Sequence, residues 1–366
     1  MDDAGLLHTP LEAQHRELGA KLGPFGGWLM PIEYEGVLTE HRAVRERVGL
    51  FDLSHLGKVD VAGAGASAIL QRLLTNDVAA IGAGRAQYNL LLNESGGVEE
   101  DLILYRLAGD RFFLVPNASN TEKVVTILLG EADGADVDDH RDWCFLGVQG
   151  PRAGEVVGTL FPEAGGLPYM GVAETAYLGK RLVLARTGYT GELGFELFTP
   201  ASSAGELWEE LREAGDPFLI EPCGLGARDV LRLEMGYPLY GQDLGPDRTP
   251  LEAGLAWAVA FAAGDFRGRD ALVRQREEGL PSRLRGLVMD ERRHIPRARY
   301  PVFAGGAPSG EVTSGTFSPA LGRGIALAYL SPADGFPPGK DVEVDVRGRR
   351  GSAKIVKPPF LDRSPR

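Results

Sequence analysis

An acidic cluster ahead of an apolar stretch is the first feature with residues suited to proton chemistry. The segment GGVEEDLILYR occupies residues 96–106. A solvated hairpin end explains Glu99 and Glu100, but Asp101 is followed at once by apolar residues. An Asp at the start of a buried strand can be held rigid and partly desolvated, as a proton acceptor or a hydrogen-bond partner requires. Asp101 is therefore the candidate catalytic residue of this segment, and a purely structural role is the alternative.

A second candidate segment combines glycines, aromatic rings and acids. It reads RTGYTGELGFE at residues 186–196. Its aromatic faces, including Tyr189, suit a loop that approaches a flat heterocycle. Glu196 begins a predicted strand, and a carboxylate there can accept two N–H donors from an aminopyrimidinone edge. An ordinary β-hairpin turn is the alternative.

The third candidate is an arginine at an unusual helix position. The segment CGLGARDVLRLE, residues 223–234, places Arg228 in the first turn of a predicted helix. A cation gains nothing from the helix dipole there. Arg228 therefore needs another partner, which is either an anionic ligand or a structural ion pair with Asp229, Glu196 or Glu234.

Signatures of metal, nucleophile and nucleotide sites are missing. The six His form neither H-x-x-x-H nor H-E-x-x-H, and no G-x-S-x-G occurs. The text GAGASA at residues 63–68 matches G-x-G-x-x-A, but the strand before it alternates, unlike the buried strand of a dinucleotide fold. We therefore predict an ordinary strand–helix turn there, with no metal and no nucleotide cofactor.

The elements that must position these residues follow from hydrophobic periodicity. Residues 10–22 and 38–48 are predicted helices. Between residues 58 and 148 the order is β-α-β-β-β-α-β, which resembles a ferredoxin-like split βαβ unit with one extra strand. A hairpin turn is predicted at residues 93–97, and Trp143–Val148 is predicted as the last strand of this unit.

The remainder of the chain divides at a Gly/Pro linker. Helices and strands alternate from Pro151 to about Gly241. The linker EGLPS occupies residues 278–282. Beyond it, short strands recur about every 8–12 residues with Gly/Pro turns, which predicts a small all-β C-terminal domain.

Length and charge limit the classes of function. A chain of 366 residues suggests about two or three domains. The net charge of −12 argues against nucleic acid or an anionic membrane as the main partner. Two Cys predict no disulfide scaffold and favour a reducing cytoplasm. We also expect no membrane span and no signal or transit peptide.

Taken together, these segments resemble the glycine cleavage T-protein family, tetrahydrofolate-dependent aminomethyltransferases. The matching text runs in order from about residue 9 to 360 and includes FGGWLMP, EHRAVRERVGLFDLSHLGK, LTNDVA, GGVEEDLILYR, VQGP, RTGYTGELGFE, CGLGARDVLRLE, YGQD, GEVTSGTFSPALG and VKPPF. The resemblance implies an α+β fold: a three-lobed ring around a central folate site. Its lobes would be a first folate-binding lobe (1–52 plus 145–277), a ferredoxin-like split βαβ lobe (53–144) and a C-terminal β-barrel or jelly-roll-like lobe (278–366).

The family's reaction is then the expected activity. An aminomethyl group arrives on the lipoyl arm of a carrier, the H-protein. Tetrahydrofolate takes the methylene as co-substrate, ammonia leaves and dihydrolipoyl carrier remains. Together with the missing motifs, we expect no metal, no flavin and no nucleotide cofactor.

The family's site residues carry over one by one. Asp101 matches the key aspartate near folate N10 in the pattern GG-x-x-DD, although Glu100 stands where the family has a first Asp. The residues expected to contact folate are Tyr88, Tyr105, Asn117, Tyr189, Glu196, Arg228 and Tyr237. Glu196 is the expected pterin-recognising carboxylate.

A basic stretch is the expected docking site for the carrier. The family's carriers are acidic, and this chain is also net negative, so a local basic patch is needed. RRHIPRAR at residues 292–299 holds four Arg and no acid. We expect Arg292, Arg293 and Arg297 to face the carrier where the lipoyl arm enters, with a solvated turn between strands as the alternative.

Two rival functions remain open on the sequence. A folate-dependent demethylase shares this architecture, although many such proteins carry a fused flavin domain that this chain lacks. A non-enzymatic folate-binding protein of iron–sulfur cluster maturation is the other rival. Those relatives carry the text KGCYxGQE, where this chain has CGLGARD followed by YGQD.

Overall fold

The N-terminal segment forms a small sheet and two helices in the computed structural model, which describes residues 5–365. Its elements are β1 (Leu7–His8), α1 (Glu12–Glu17), β2 (Lys21–Phe25), β3 (Trp28–Glu33), α2 (Val37–Glu46) and β4 (Gly49–Asp52). The predicted helix over 10–22 is wrong in its second half. Gly19 adopts a φ of 72°, a left-handed conformation that ends α1, and β2 follows. The helix predicted over 38–48 is confirmed as α2.

The sheet that carries Asp101 is built from one continuous segment. Its elements are β5 (Val59–Ala62), α3 (Ala66–Leu73), β6 (Arg85–Leu92), β7 (Val98–Ala108), β8 (Arg111–Val115), α4 (Thr121–Gly130) and β9 (Asp136–Asp139). The strand order is β6-β7-β8-β5-β9. One apolar face packs against α3 and α4. The predicted turn at 93–97 is confirmed: Gly97 N donates to Asn93 Oδ1 at 2.8 Å, and Gly96 has a φ of 83°.

A second, six-stranded sheet draws its strands from distant parts of the chain. The further elements are β10 (Trp143–Gln149), α5 (Ala153–Leu160), β11 (Val172–Tyr177), β12 (Lys180–Ala185), β13 (Gly194–Pro200), α6 (Ala204–Gly215), β14 (Glu221–Cys223), α7 (Leu225–Glu234) and α8 (Arg269–Glu278). The strand order is β11-β12-β13-β10-β4-β14. The segment from β5 to β9 is therefore inserted between two neighbouring strands, β4 and β10.

The assignment of Trp143–Val148 to the ferredoxin-like sheet is wrong. This strand is β10, which pairs with β13 and β4 of the six-stranded sheet. All seven of its residues are buried, as expected of a central strand covered on both faces. Strand β9 forms the edge of the inserted sheet instead. Its sequence DVDD carries three acids, so no apolar signal marked it as a strand.

The C-terminal all-β domain is confirmed as a closed six-stranded barrel. Its strands are β15 (Arg283–Met289), β16 (Pro301–Ala304), β17 (Ala307–Ser318), β18 (Arg323–Leu330), β19 (Asp341–Val346) and β20 (Arg349–Val356). The barrel has its own apolar core. The barrel, the inserted sheet with its helices and the six-stranded sheet with its helices together confirm the α+β class.

A buried ionic cluster joins α2, α7 and the barrel. Arg45 donates to Glu234 Oε2 at 2.7 Å, and Ser318 donates to Glu234 Oε1 at 2.6 Å. Burial opposes ionisation of Glu234, but the hydrogen bond and charge of His41 and the charge of Arg45 lower its pKa to about 2. The cluster therefore stays charged and fixes α7 between its neighbours.

Candidate active site

Asp101 projects from β7 with each carboxylate oxygen held by a different neighbour. Tyr88 Oη on β6 donates to Asp101 Oδ2 at 2.9 Å, and Asn117 Nδ2 donates to Oδ1 at 2.9 Å. Desolvation raises the pKa of Asp101 to about 6, although these two donors lower it. A carboxyl group with a pKa this close to neutrality is suited to accept and return a proton.

Asn117 lies in the loop between β8 and α4 and bridges two acids. Its Nδ2 also donates to Glu100 Oε1 at 2.6 Å and to the Asp101 carbonyl at 3.1 Å. The two amide hydrogens are therefore committed to protein acceptors. Its Oδ1 accepts no hydrogen bond from residues 5–365, so only that oxygen remains available to a ligand.

Tyr88 stacks on a tryptophan that the sequence reasoning missed. The ring centroids of Tyr88 and Trp257 lie 5.4 Å apart with an interplanar angle of 28°. Trp257 is 66% exposed, which is high for so large an apolar side chain. It follows α7 in an Ala-rich loop, and no local pattern connects it with β6. The stacked pair presents an aromatic surface beside Asp101.

Glu196 on β13 faces the inserted sheet across a pair of hydroxyl groups. Tyr105 Oη donates to Glu196 Oε2 at 3.0 Å, and Thr187 Oγ1 donates to the same oxygen. Glu196 Oε1 accepts no hydrogen bond from the described part of the chain. Burial raises the pKa of Glu196. One carboxylate oxygen is thus fixed by the protein and the other can receive a ligand donor; sequence reasoning did not single out Thr187.

No acidic side chain among residues 5–365 forms an ion pair with the guanidinium group of Arg228. Its central carbon lies 4.6 Å from the centroid of the Tyr189 ring. None of the three acids considered from the sequence forms an ion pair with it: Asp229 pairs with Arg232 at 2.7 Å, and Glu234 pairs with Arg45. Burial lowers the pKa of Arg228, while the charge of Glu196 opposes this shift. The structural ion pair is not formed, which leaves the donors of Arg228 for a ligand.

The two aromatic residues expected from the sequence beside Arg228 form one stack. Tyr189 and Tyr237 have ring centroids 5.6 Å apart and an interplanar angle of 26°. Tyr189 Oη donates to the Pro238 carbonyl, so the segment 186–196 is anchored to the loop after α7. The segment therefore positions both Tyr189 and Glu196.

His55 is a further buried group near Arg228 that the motif search passed over. Burial, and then the positive charge of Arg228, lower the pKa of His55 to about 3. The imidazole is therefore neutral at physiological pH. Its Nδ1 is buried and has no hydrogen-bond partner among residues 5–365. Only its spatial proximity to Arg228 distinguishes it from the other His.

The basic stretch lies on the barrel surface. Arg292, Arg293, Ile295 and Phe317 line an open groove, and the Arg292 guanidinium lies 5.8 Å from the Phe317 ring centroid. Arg297 donates to the carbonyl of Gly315 on β17 at 3.0 Å. Arg292 and Arg293 form no ion pair with described residues. The groove therefore combines two guanidinium groups that form no ion pair with described residues and the aromatic ring of Phe317.

Strand β17, which carries Phe317, connects this groove to α7. Ser314, one residue before Gly315, accepts a hydrogen bond from Arg232 at 2.9 Å. Arg232 lies about one helical turn after Arg228.

In residues 5–365, no group of three or more His, Cys, Asp or Glu could hold a metal ion. None of the described helices has the length and apolarity to cross a membrane.

Comparison with known proteins places the whole chain in one family. The family model for the GCVT N-terminal domain matches residues 11–263, and that for the glycine cleavage T-protein C-terminal barrel domain matches residues 283–362. The aminomethyltransferase of Mycobacterium avium is 49% identical and covers 98% of both chains. That of Frankia alni is 49% identical and covers 99% of this chain and 100% of its own.

A solved structure gives the same result. The glycine cleavage system aminomethyltransferase T from Bartonella henselae is 36% identical, covers 98% of this chain and 99% of its own, and superposes with a TM-score of 0.90. Similarity of this extent over both domain models leaves no large part of the chain outside the match. The chain therefore belongs to the glycine cleavage T-protein family of aminomethyltransferase enzymes.

Proposed function

We propose that the enzyme transfers the methylene of an aminomethyl group on lipoylated H-protein to tetrahydrofolate. The products are 5,10-methylenetetrahydrofolate, ammonia and dihydrolipoyl H-protein. The C–S and C–N bonds of the aminomethyl group break, and two C–N bonds to folate N5 and N10 form. The two N–H hydrogens of tetrahydrofolate end on the ammonia and the lipoyl thiol.

The Asp101 carboxylate is the observation that carries the proposal. Tyr88 and Asn117 hold its two oxygens, and its pKa of about 6 leaves it ionised but basic at neutral pH. In that state it can accept a folate proton and stabilise a developing iminium cation. No protein nucleophile is needed, because the reaction depends on positioning and proton management.

Glu196 and Arg228 are proposed to recognise the pterin. The free Oε1 of Glu196 would accept N–H donors from the aminopyrimidinone edge. The guanidinium group of Arg228 would donate to the ring carbonyl or another electron-rich atom. Tyr105, Tyr189 and Tyr237 would line the flat face, since aromatic surfaces stack well on heterocycles.

The p-aminobenzoyl part of folate is proposed to lie along Tyr88. This placement follows from the hydrogen bond of Tyr88 to Asp101, because Asp101 is assigned to the N10 end. The free Oδ1 of Asn117 is available to a ligand donor on the same side. With these assignments, the folate would lie between the inserted sheet, the six-stranded sheet and the barrel. The three proposed lobes are residues 1–52 plus 145–277, 53–144 and 278–366.

The H-protein is proposed to dock on the groove formed by Arg292, Arg293, Ile295 and Phe317. Positive charge in the groove offsets repulsion between two acidic proteins and steers their encounter. Arg297, held by the Gly315 carbonyl, fixes the adjoining backbone. We assign the reaction to the cytoplasm, in keeping with the two unpaired buried Cys.

One assay tests the proposal. The purified enzyme is mixed with aminomethyl-loaded H-protein and tetrahydrofolate, and both ammonia and methylenetetrahydrofolate are measured. We expect equal amounts of both products, and neither without H-protein. Folate binding with no ammonia release would support a non-enzymatic folate-binding role. Methylene transfer from a small N-methyl compound without H-protein would support a demethylase. Either result would overturn the proposal.

A further inference from the structure

Glu100 and Asp101 share one amide although they point to opposite faces of β7. Asn117 Nδ2 lies 2.6 Å from Glu100 Oε1 and 2.9 Å from Asp101 Oδ1. The backbone N–H of Asn117 also donates to Glu100 Oε1 at 2.9 Å. Glu100 therefore orients the amide that holds the proposed catalytic carboxylate.

Glu100 lies in surroundings that favour its neutral form. Its side chain has no exposed surface, and its Oε2 has no hydrogen-bond partner among residues 5–365. Lys123 on α4 pairs with Glu99 at 2.8 Å and not with Glu100. A buried carboxylate without a cation is costly, so such a group keeps its proton. Burial, and then repulsion by Asp101, raise the pKa of Glu100 to about 8, although the two donors of Asn117 and the nearby side chain of Asn120 oppose this shift.

No cation among residues 5–365 forms an ion pair with Glu100 or Asp101. On β6, Tyr88 is a neutral donor to Asp101. In the loop after α7, Asp243 adds repulsion that raises the pKa of Asp101. Asp243 is itself paired with Arg232 at 2.9 Å. The 186–196 segment contributes the neutral phenol of Tyr189, and α4 contributes the Lys123 already bound by Glu99.

We propose that Glu100 stays protonated at neutral pH and positions Asp101 through Asn117, so that the pair holds one negative charge and Asp101 carries it. This inference rests on the proposed transfer to tetrahydrofolate. A second negative charge beside Asp101 would raise the pKa of Asp101 and keep it protonated at neutral pH. Ionised Glu100 would also compete for the Asn117 amide. Glu100 is thus a positioning residue that acts through Asn117 and does not touch the substrate.

The first test compares wild type with Glu100→Gln, which keeps an acceptor oxygen but cannot ionise. Difference infrared spectra should show a protonated carboxyl group in the wild type at pH 7 that titrates near pH 8. The signal should be missing in Glu100→Gln. In the pH profile of kcat, the wild type should lose activity above about pH 8, and Glu100→Gln should lack that decrease while its acid midpoint stays near pH 6. The proposal would be overturned if the acid midpoint of Glu100→Gln lay one pH unit or more below that of the wild type, or if the variant kept the infrared signal of the protonated carboxyl group.

The second test separates positioning from charge. Glu100→Leu removes the acceptor for Asn117, so its kcat should fall about tenfold below that of Glu100→Gln, with an unchanged KM for tetrahydrofolate. An effect of about 10-fold equals one unit of pKa or 1.4 kcal/mol. Glu122→Gln, at an exposed acid in the first turn of α4, is the matched control and should keep the wild-type kcat. Equal kcat for the Leu and Gln variants would overturn the positioning role.

The infrared test also separates this inference from the proposed function, because it needs no turnover. A wild type that releases no ammonia contradicts the proposed function, while the carboxyl signal still reports on Glu100. If Glu100→Leu does not fold, the infrared titration and the Gln profile still decide the outcome.

Discussion

Tyr88 and Asp101 lie diagonally across the β6–β7 pair. In the register, Tyr88 is opposite Ile103 and Leu90 is opposite Asp101. Diagonal neighbours on an antiparallel pair are about 7–8 Å apart, which a tyrosine can span. The phenol therefore reaches the carboxylate without any backbone irregularity at that point, and the pair is fixed by strand register.

Asp101→Asn should abolish most of the activity. The substitution is nearly isosteric but removes the charge and the basic oxygen. We expect turnover to fall by about 10²-fold or more, as is typical when an acid–base group is lost. Circular dichroism and thermal melts should match the wild type. Near-normal turnover in the pure variant would contradict the assignment of Asp101.

Tyr88→Phe should displace the acid side of the pH profile. Asp101 works as the ionised carboxylate, so activity should rise with pH through its pKa of about 6. The Tyr88 hydrogen bond lowers that pKa, so its loss should move the midpoint upward by about one unit, given about 1.5 kcal/mol for a bond to a charged group. Tyr300→Phe, at a partly buried tyrosine of the barrel, is the control. A midpoint that stays in place would show that the bond does not set the pKa.

Glu196→Gln should weaken folate binding. The new NH₂ group must face a donor, either in the pterin or at Thr187. An unpaired buried polar group costs roughly 1–3 kcal/mol, so the Kd for tetrahydrofolate should rise about 5- to 150-fold. Titration calorimetry measures it directly. Unchanged affinity would remove Glu196 from the pterin site.

Reversing the charge of Arg292 and Arg293 should impair the carrier interaction alone. The double Glu variant should have a higher KM for H-protein and an unchanged KM for tetrahydrofolate. Salt should raise the wild-type KM for H-protein, because the Debye length is only about 8 Å at physiological strength. The variant should lose most of this dependence. Arg347→Glu with Arg349→Glu, at exposed positions of the same barrel, is the control of equal charge; if both pairs behave alike, the groove is not the docking site.

Glu234→Gln should destabilise the fold in a pH-dependent way. The lowered pKa of Glu234, about 2 against 4.5, means that its contribution is present above pH 4.5 and is lost as pH falls toward 2. At pH 7 we expect the free energy of unfolding to drop by about 3 kcal/mol. Denaturant titrations at pH 7 and pH 3 should show a smaller difference at the lower pH. A pH-independent difference would show that the charge of Glu234 is not what stabilises the cluster.

Local patterns predicted the residues whose signals lie within one element. Asp101 was proposed as a site residue because an acid precedes an apolar strand, and the turn at 93–97 was predicted, and is confirmed, because it is rich in glycine. The partners of Trp143–Gln149 were missed, since pairing with Gly49–Asp52 and Gly194–Pro200 depends on contacts between distant segments. Trp257 and His55 were missed for the same reason: only their neighbours in space distinguish them.

The interrupted six-stranded sheet has a consequence for how the chain is made. Strand β4 leaves the ribosome before the whole inserted segment, while its sheet neighbours β10 and β14 follow afterwards. The inserted segment has a continuous sequence and its own apolar core, so it can fold first during synthesis. Until β10 appears, β4, with the sequence GLFD, is a strand edge without its sheet partner, and such edges attract other chains. Slower translation through residues 59–139 should therefore promote aggregation of the nascent chain.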